Sequence, residues 1–130
     1  RTCACAGADA LIIGTHGSVA INGDAVKTSA GALYHLPVCK VENMQNCLQF
    51  LRDSGFHVVA ATEHATQNYT EADMTAPTAI VMGSEEKGIY EGNLRICSHQ
   101  VRIPMSGVIE SLNVSVAAGV MLYEAVRQRG

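Results

Sequence analysis

Two short runs in the C-terminal half, Ala79 to Met82 and Gln100 to Ile103, restrict the fold more than any other feature of the chain. The first is apolar and stops at Gly83, where a short acidic loop bounded by Gly83 and Gly88 begins. The second ends at Pro104, and the loop after it passes Gly107 before a long helical pattern opens at Ser111-Leu112-Asn113. Runs this short, bounded by turn residues, read as buried strands. Strand, glycine-bearing loop and helix, taken twice in succession, describe an open α/β sheet. In such sheets ligands sit outside the carboxyl ends of the strands. Glycine reaches backbone angles closed to other residues and lets a ligand lie against the main chain, which gives Gly83 and Gly88 a reason to bound the loop. The stretch from Ile80 to Asn113 therefore predicts a small-molecule site without naming its ligand.

The rest of the chain keeps the same alternation. The opening Arg-Thr-Cys-Ala-Cys-Ala-Gly-Ala reads as the tail of a helix, with Gly7 as its C-terminal cap and no N-cap ahead of Arg1, so upstream sequence is expected. Ala10 to Ile13 is a short strand ending at Gly14, a polar loop runs from Thr15 to Asn22, and a helix is predicted over Asp24 to Ala32. Leu36 to Val41 is another strand. Asn43 then caps an amphipathic helix in which Met44, Cys47, Leu48 and Leu51 recur at helical spacing until Gly55. Phe56 to Ala61 is an apolar strand running into Thr62 and a polar stretch, Glu63 to Met74. Ala76 to Met82 and Gln100 to Ile103 are the last strands, separated by a helix after Gly88. The final helix spans about Ser111 to Arg129 and is apolar nearly all round between Val114 and Tyr123, which implies burial on more than one side. The expected fold is α/β, one domain, with a mostly parallel sheet and helices on both faces.

Composition excludes several classes. The chain has 130 residues, one domain's worth, and is 48% hydrophobic with three prolines, which favours a compact domain over disorder. No apolar run reaches the length of a membrane span and no signal-peptide pattern opens the chain, so a cytoplasmic protein with no membrane partner is expected. A net charge of −3 gives no overall footprint for nucleic acid; an RNA partner would need a local patch, a second subunit or another domain. The five cysteines, Cys3, Cys5, Cys39, Cys47 and Cys97, lack CxxC spacing and read as buried, reduced thiols. The five histidines are scattered without ligand spacing, so no metal is expected. A Rossmann-type dinucleotide site is disfavoured because no GxGxxG follows the first strand.

Val-Met-Gly-Ser-Glu-Glu-Lys-Gly-Ile (81–89) and Ile-Pro-Met-Ser-Gly-Val-Ile-Glu-Ser-Leu-Asn-Val-Ser-Val-Ala (103–117) resemble the second and third signature motifs of the SpoU/TrmH family, RNA 2′-O-ribose methyltransferases of the SPOUT superfamily. The opening eight residues are similar to the end of the first motif, and Ala30-Gly31-Ala32 followed by His35-Leu36-Pro37-Val38 also fits. The similarity is greatest to the enzymes that methylate a guanosine ribose in 23S rRNA, with tRNA-directed relatives as the alternative. Two departures stand out. The chain begins at the motif-one arginine, without the first strand and the asparagine expected before it, and Glu86 stands where many members carry glycine. The resemblance implies S-adenosylmethionine as cofactor, a homodimer with sites at its interface, a separate N-terminal RNA-binding domain and a deep trefoil knot threaded by the last helix. A non-catalytic knotted RNA-binding module is the competing reading.

The resemblance also assigns residues. Gly83, Ile103 and Leu112 match positions that hold the cofactor through backbone groups and an apolar adenine slot; Met105 flanks the slot, and Thr62 and Gly88 belong to the same pocket. Read from spacing alone, these are turn and core residues. Arg1, Glu85, Ser111 and Asn113 match catalytic positions. An arginine is always protonated and makes a poor base, so Arg1 is better suited to binding the adjacent RNA phosphate and lowering the hydroxyl's pKa. Glu85 would orient substrate or that arginine; otherwise it is a solvated charge at a helix start. Ser111 is the expected N-cap of the last helix, which leaves Asn113 to face cofactor and ribose.

Overall fold

The computed structural model of the chain describes residues 2–14, 36–84, 87–107 and 112–130, in two compact units, Arg1–Met44 and Gln45–Gly130. In the first unit α1 (Thr2–Cys5) ends at Gly7, whose φ of 78° is the left-handed cap conformation anticipated there. β1 (Leu11–Gly14) pairs in parallel with β2 (Val38–Val41), Leu11 opposite Val38 and Gly14 opposite Val41. The helix expected over Asp24 to Ala32 lies outside the described residues.

The second unit carries α2 (Met44–Asp53, its first residue in the preceding unit), β3 (His57–Ala61), β4 (Gln67–Asn68), a 3-10 turn (Tyr69–Glu71), β5 (Thr78–Val81), α3 (Glu91–Ile96), β6 (His99–Arg102) and α4 (Val114–Arg129). Its strands lie in the order β4-β6-β3-β5, and every pairing is parallel. β3 is central, and Val58, Val59 and Ala60 are completely buried, as an apolar run between two parallel neighbours should be. β5 and β6 flank β3 on opposite sides, so the segment carrying α3 crosses over it. The parallel α/β expectation holds, although the described strands form two sheets, one of two strands and one of four. The polar stretch after Thr62 holds more structure than its composition suggests. β4 has only two residues, too few to show a period, and Asn68 caps the 3-10 turn by accepting from the Thr70 N–H at 3.1 Å.

The core joins Val59 and Val101 of the sheet to Met121 and Ala125 of α4 and to Ala72 and Met74 of the intervening segment. α4 is locked there by polar contacts at its end. The Gln128 amide accepts from the Met74 N–H at 2.7 Å and donates to the Ala72 carbonyl at 2.9 Å, while the Arg129 guanidinium donates to the carbonyls of Met74 and Ala76 at 2.9 and 2.8 Å. Glu124 is buried beside them, and the Arg127 guanidinium at 2.6 Å holds its carboxylate below the usual glutamate range.

Two expectations are corrected. The burial of α4 is incomplete within one chain: residues 117–122 are half-buried or buried all round the helix, whereas Val116, Tyr123 and Val126 keep 54%, 49% and 43% of their surface open. The five cysteines are free but none is fully buried, and Cys5 of α1 and Cys39 of β2 are exposed. Partial burial pushes the Cys97 thiol up to about 11, so it stays protonated at neutral pH. Among the described residues, no helix is long and apolar enough to cross a membrane.

Gln128→Ala strands the Met74 N–H and should cost about 1–3 kcal/mol of unfolding free energy, read as a lower urea midpoint with an unchanged slope. Stability should also depend on acid through Glu124. Its folded pKa is depressed, so its contribution is complete above the unfolded carboxylate pKa and disappears as pH falls through the lower folded value. Glu124→Gln should flatten that acid limb of a melting-temperature profile.

Candidate active site

Register places the site. Ala60 pairs with Val81 across β3 and β5, and Ala61 with Val101 across β3 and β6. The three strands therefore end level with one another, and Thr62, Met82 and Ile103 start three loops side by side. The Thr62 N–H donates to the Val101 carbonyl at 2.9 Å and continues the ladder into the first of them. These loops, with α3 and the start of α4, enclose a cleft of about 490 Å³, within the range of small-molecule sites.

All six residues assigned to a cofactor pocket, Thr62, Gly83, Gly88, Ile103, Met105 and Leu112, line this cleft. Met105 and Leu112 leave 39% and 37% of their surface open, so the cleft presents apolar side chains to solvent. Thr62, Glu63 and Ser84 supply hydroxyl and carboxylate groups beside Met82 and Ile103. That combination suits a ligand with a flat apolar part and several hydroxyls. Among the described residues, no group of three His, Cys, Asp or Glu side chains could hold a metal ion.

The loop after β5 is closed on itself. The Gly88 N–H donates to the Ser84 carbonyl at 2.9 Å, the Ser84 N–H to the Gly88 carbonyl at 3.3 Å, and the Lys87 N–H to Ser84 Oγ at 3.0 Å. Gly88 has φ of 68°, a left-handed angle that a side chain would strain. Gly83 is required for a different reason. A Cβ there would lie 2.5 Å from the Ile89 nitrogen and 2.8 Å from Gly88 Cα. The close approach anticipated for a ligand at Gly83 is made by the loop's own returning backbone.

The catalytic candidates fare unevenly. Arg1, Glu85 and Ser111 lie outside the described residues. Asn113 stands between two lining residues, Leu112 and Val114, without lining the cleft itself. Its side chain is the N-cap of α4: Asn113 Oδ1 accepts from the Ser115 N–H at 2.8 Å. The expectation that Ser111 caps this helix is therefore corrected. Helical geometry starts at Val114, so the residue immediately before it is the one placed to reach the second N–H of the first turn. Sequence reasoning missed Glu63, His64 and Lys87 as lining residues. His64 Nε2 is 3.6 Å from Glu63 Oε1, both exposed. Their only signal was position just beyond a strand's carboxyl end. Leu94 was signalled more weakly still, by an apolar position on the helix after Gly88.

Comparison with known proteins bears on the family and the fold. The profile of the SpoU rRNA methylase family matches residues 1–123. The 23S rRNA (guanosine-2'-O-)-methyltransferase RlmB of Ralstonia nicotianae is 42% identical over 129 residues, 99% of this chain and 52% of that protein. The SpoU methyltransferase AviRb of Streptomyces viridochromogenes, solved in complex with the cofactor AdoMet, superposes with a TM-score of 0.88 at 33% identity over 99% of this chain and 53% of its own. A crystal structure of an RNA 2'-O ribose methyltransferase gives the same TM-score at 36% identity, covering 99% and 49% of the two chains. The chain thus spans about half the length of these relatives.

Gly83→Ala should force the loop off the Gly88–Ile89 backbone and destroy the shape of the cleft wall. The expected result is loss of ligand binding with a lowered melting temperature. Gly88→Ala, strained by φ alone, should be milder, about 1 kcal/mol.

Proposed function

Because the chain belongs to the SpoU rRNA methylase family, we propose that its cleft binds S-adenosylmethionine and that the protein methylates the ribose 2′-hydroxyl of an RNA nucleotide, a guanosine in 23S rRNA. The observation that carries this reading is the convergence of Thr62, Gly83, Gly88, Ile103, Met105 and Leu112 on one cleft at the carboxyl ends of the strands. The name of the Ralstonia relative supports the substrate, and the AdoMet complex of AviRb supports the cofactor.

The residues present fit that cofactor. Ile103, Leu112 and Met105 offer an apolar slot for adenine, and Thr62, Glu63 and Ser84 offer partners for ribose hydroxyls and the amino-acid end. When bound, the sulfonium supplies an electrophilic methyl group. The protein's part is positioning the two substrates and easing the loss of the hydroxyl proton, since displacement at carbon gains most from held geometry. In this proposal Arg1 binds the phosphate next to the target and lowers the hydroxyl's pKa by its charge. Glu85 and Ser111 orient the reacting groups, and Asn113 does so from the cap of α4.

The open stripe Val116, Tyr123 and Val126 supports a homodimer through α4, because contiguous apolar surface on one helix face marks an interface. Helices on both sheet faces, the C-terminal knot and an N-terminal RNA-binding domain belong to the same proposal. The family match supports the knotted path.

Full-length protein titrated with S-adenosylhomocysteine in a calorimeter should bind it at one site per chain; no binding, with tight binding of a dinucleotide instead, overturns the reading. Asn113→Ala should cost ~1 kcal/mol of stability through the lost cap. Asn113→Asp keeps the acceptor and should melt normally while losing methyl transfer to unmethylated rRNA by orders of magnitude. An Asp variant methylating at the wild-type rate leaves Asn113 with the cap alone.

A further inference from the structure

Aromatic side chains are few in this chain: four tyrosines, two phenylalanines and no tryptophan. Among the described residues, three keep about half or more of their surface open, Phe50 at 69%, Tyr90 at 69% and Tyr123 at 49%. Phe50 belongs to α2, and Tyr123 belongs to the open stripe of α4. Tyr90 is the one in the segment that builds the cleft. It follows the lining residue Ile89 and stands directly before α3, whose Leu94 also lines the cleft.

Its backbone is fixed. The Tyr90 carbonyl accepts from the N–H groups of Asn93 at 2.9 Å and Leu94 at 3.1 Å, which pins its backbone to the first turn of α3. Its ring passes over Gly92, where a Cβ would fall 2.7 Å from Tyr90 Cε1 and against the Gln45 amide. Glycine at 92 thus lets the ring lie against bare backbone while most of it stays in water. A ring that rests on backbone at one edge and is otherwise exposed is suited to stacking on unpaired nucleobases, and every base offers a π-face to it. Three residues earlier the exposed Lys87 lines the cleft and supplies a cation for the same strand's phosphates.

Resting on the methyltransferase reading above, we infer that Tyr90 is the stacking platform for an unpaired base of the RNA substrate at or beside the target nucleotide. It acts in RNA capture and not in cofactor capture. Because stacking is indifferent to base identity, Tyr90 selects for a base free of its duplex, and sequence is read elsewhere.

The test uses full-length protein with Tyr90→Ala, Tyr90→Leu and Tyr90→Phe. Anisotropy reads binding of a guanosine-containing RNA hairpin and of the same sequence as a full duplex, without cofactor. Calorimetry reads S-adenosylhomocysteine affinity, and melting and sedimentation accompany both. Tyr90→Ala and Tyr90→Leu should weaken hairpin binding about fivefold to 100-fold, the effect of losing one stacked base. Duplex binding, S-adenosylhomocysteine affinity, melting and sedimentation should be unchanged, and Tyr90→Phe should bind the hairpin as the wild type does. Hairpin binding undiminished in the Ala variant overturns the inference. So does a Phe variant as weak as Ala, or an Ala variant that falls apart as a dimer, which would make Tyr90 a subunit contact. If the wild type itself binds no S-adenosylhomocysteine, the methyltransferase reading fails, while the hairpin comparison still decides whether Tyr90 stacks.

Discussion

The parallel register that sets Ala60 against Val81 and Ala61 against Val101 is the constraint on which the site depends. A shift by one residue would turn Val58, Val59 and Ala60 to the wrong neighbours and stagger the three loop starts. With the register held, Thr62, Met82 and Ile103 leave the sheet at one level, and a cleft follows without any dedicated binding domain. The glycines then refine it. Gly88 bends the second loop back, and Gly83 lets that return lie against the strand end, so the wall is made of backbone fixed in place.

α4 joins this arrangement to the rest of the unit from both ends. Leu112, just before its cap, and Val114 and Ala117 of its first turn line the cleft. Its last turn is tied to the Ala72–Ala76 segment by Gln128 and Arg129, with the buried Glu124 ion-paired to Arg127 beside it. A buried charge paired in this way costs desolvation and adds little net stability, but removing one partner is expensive. The helix start is thereby placed by interactions far from the cleft. Asn113, capping the helix at the cleft's edge, is where the helix's own hydrogen bonding meets the chemistry proposed for it.

Much of this was legible in the sequence, and the omissions have physical causes. Short apolar runs bounded by Gly83 and Pro104 marked the strands to within one or two residues, because hydrophobic burial and turn residues act locally. The motif match put six residues in one cleft, where spacing alone left them as turn and core positions. Choosing between Ser111 and Asn113 as cap needed the helix's first residue, which both polar side chains would accept equally well. β4 was too short for any period, and the all-round apolar pattern of α4 could not distinguish burial in one chain from a face left for another. His64, Lys87 and Tyr90 are polar or aromatic residues on loops. Which of them reach the cleft, as His64 and Lys87 do, or only follow a lining residue, as Tyr90 does, is set by tertiary structure, and position after a strand's carboxyl end is its only trace in the chain.

The proposed reaction leaves a chemical mark on RNA, and that mark is the most direct test. Mass mapping of ribose methylation in rRNA and tRNA should be carried out on cells with and without the gene. The prediction is loss of a single 2′-O-methylguanosine from 23S rRNA, with every other ribose methylation unchanged. Ribose methylation intact in both RNAs, or a lost methyl that sat on a base, would contradict it.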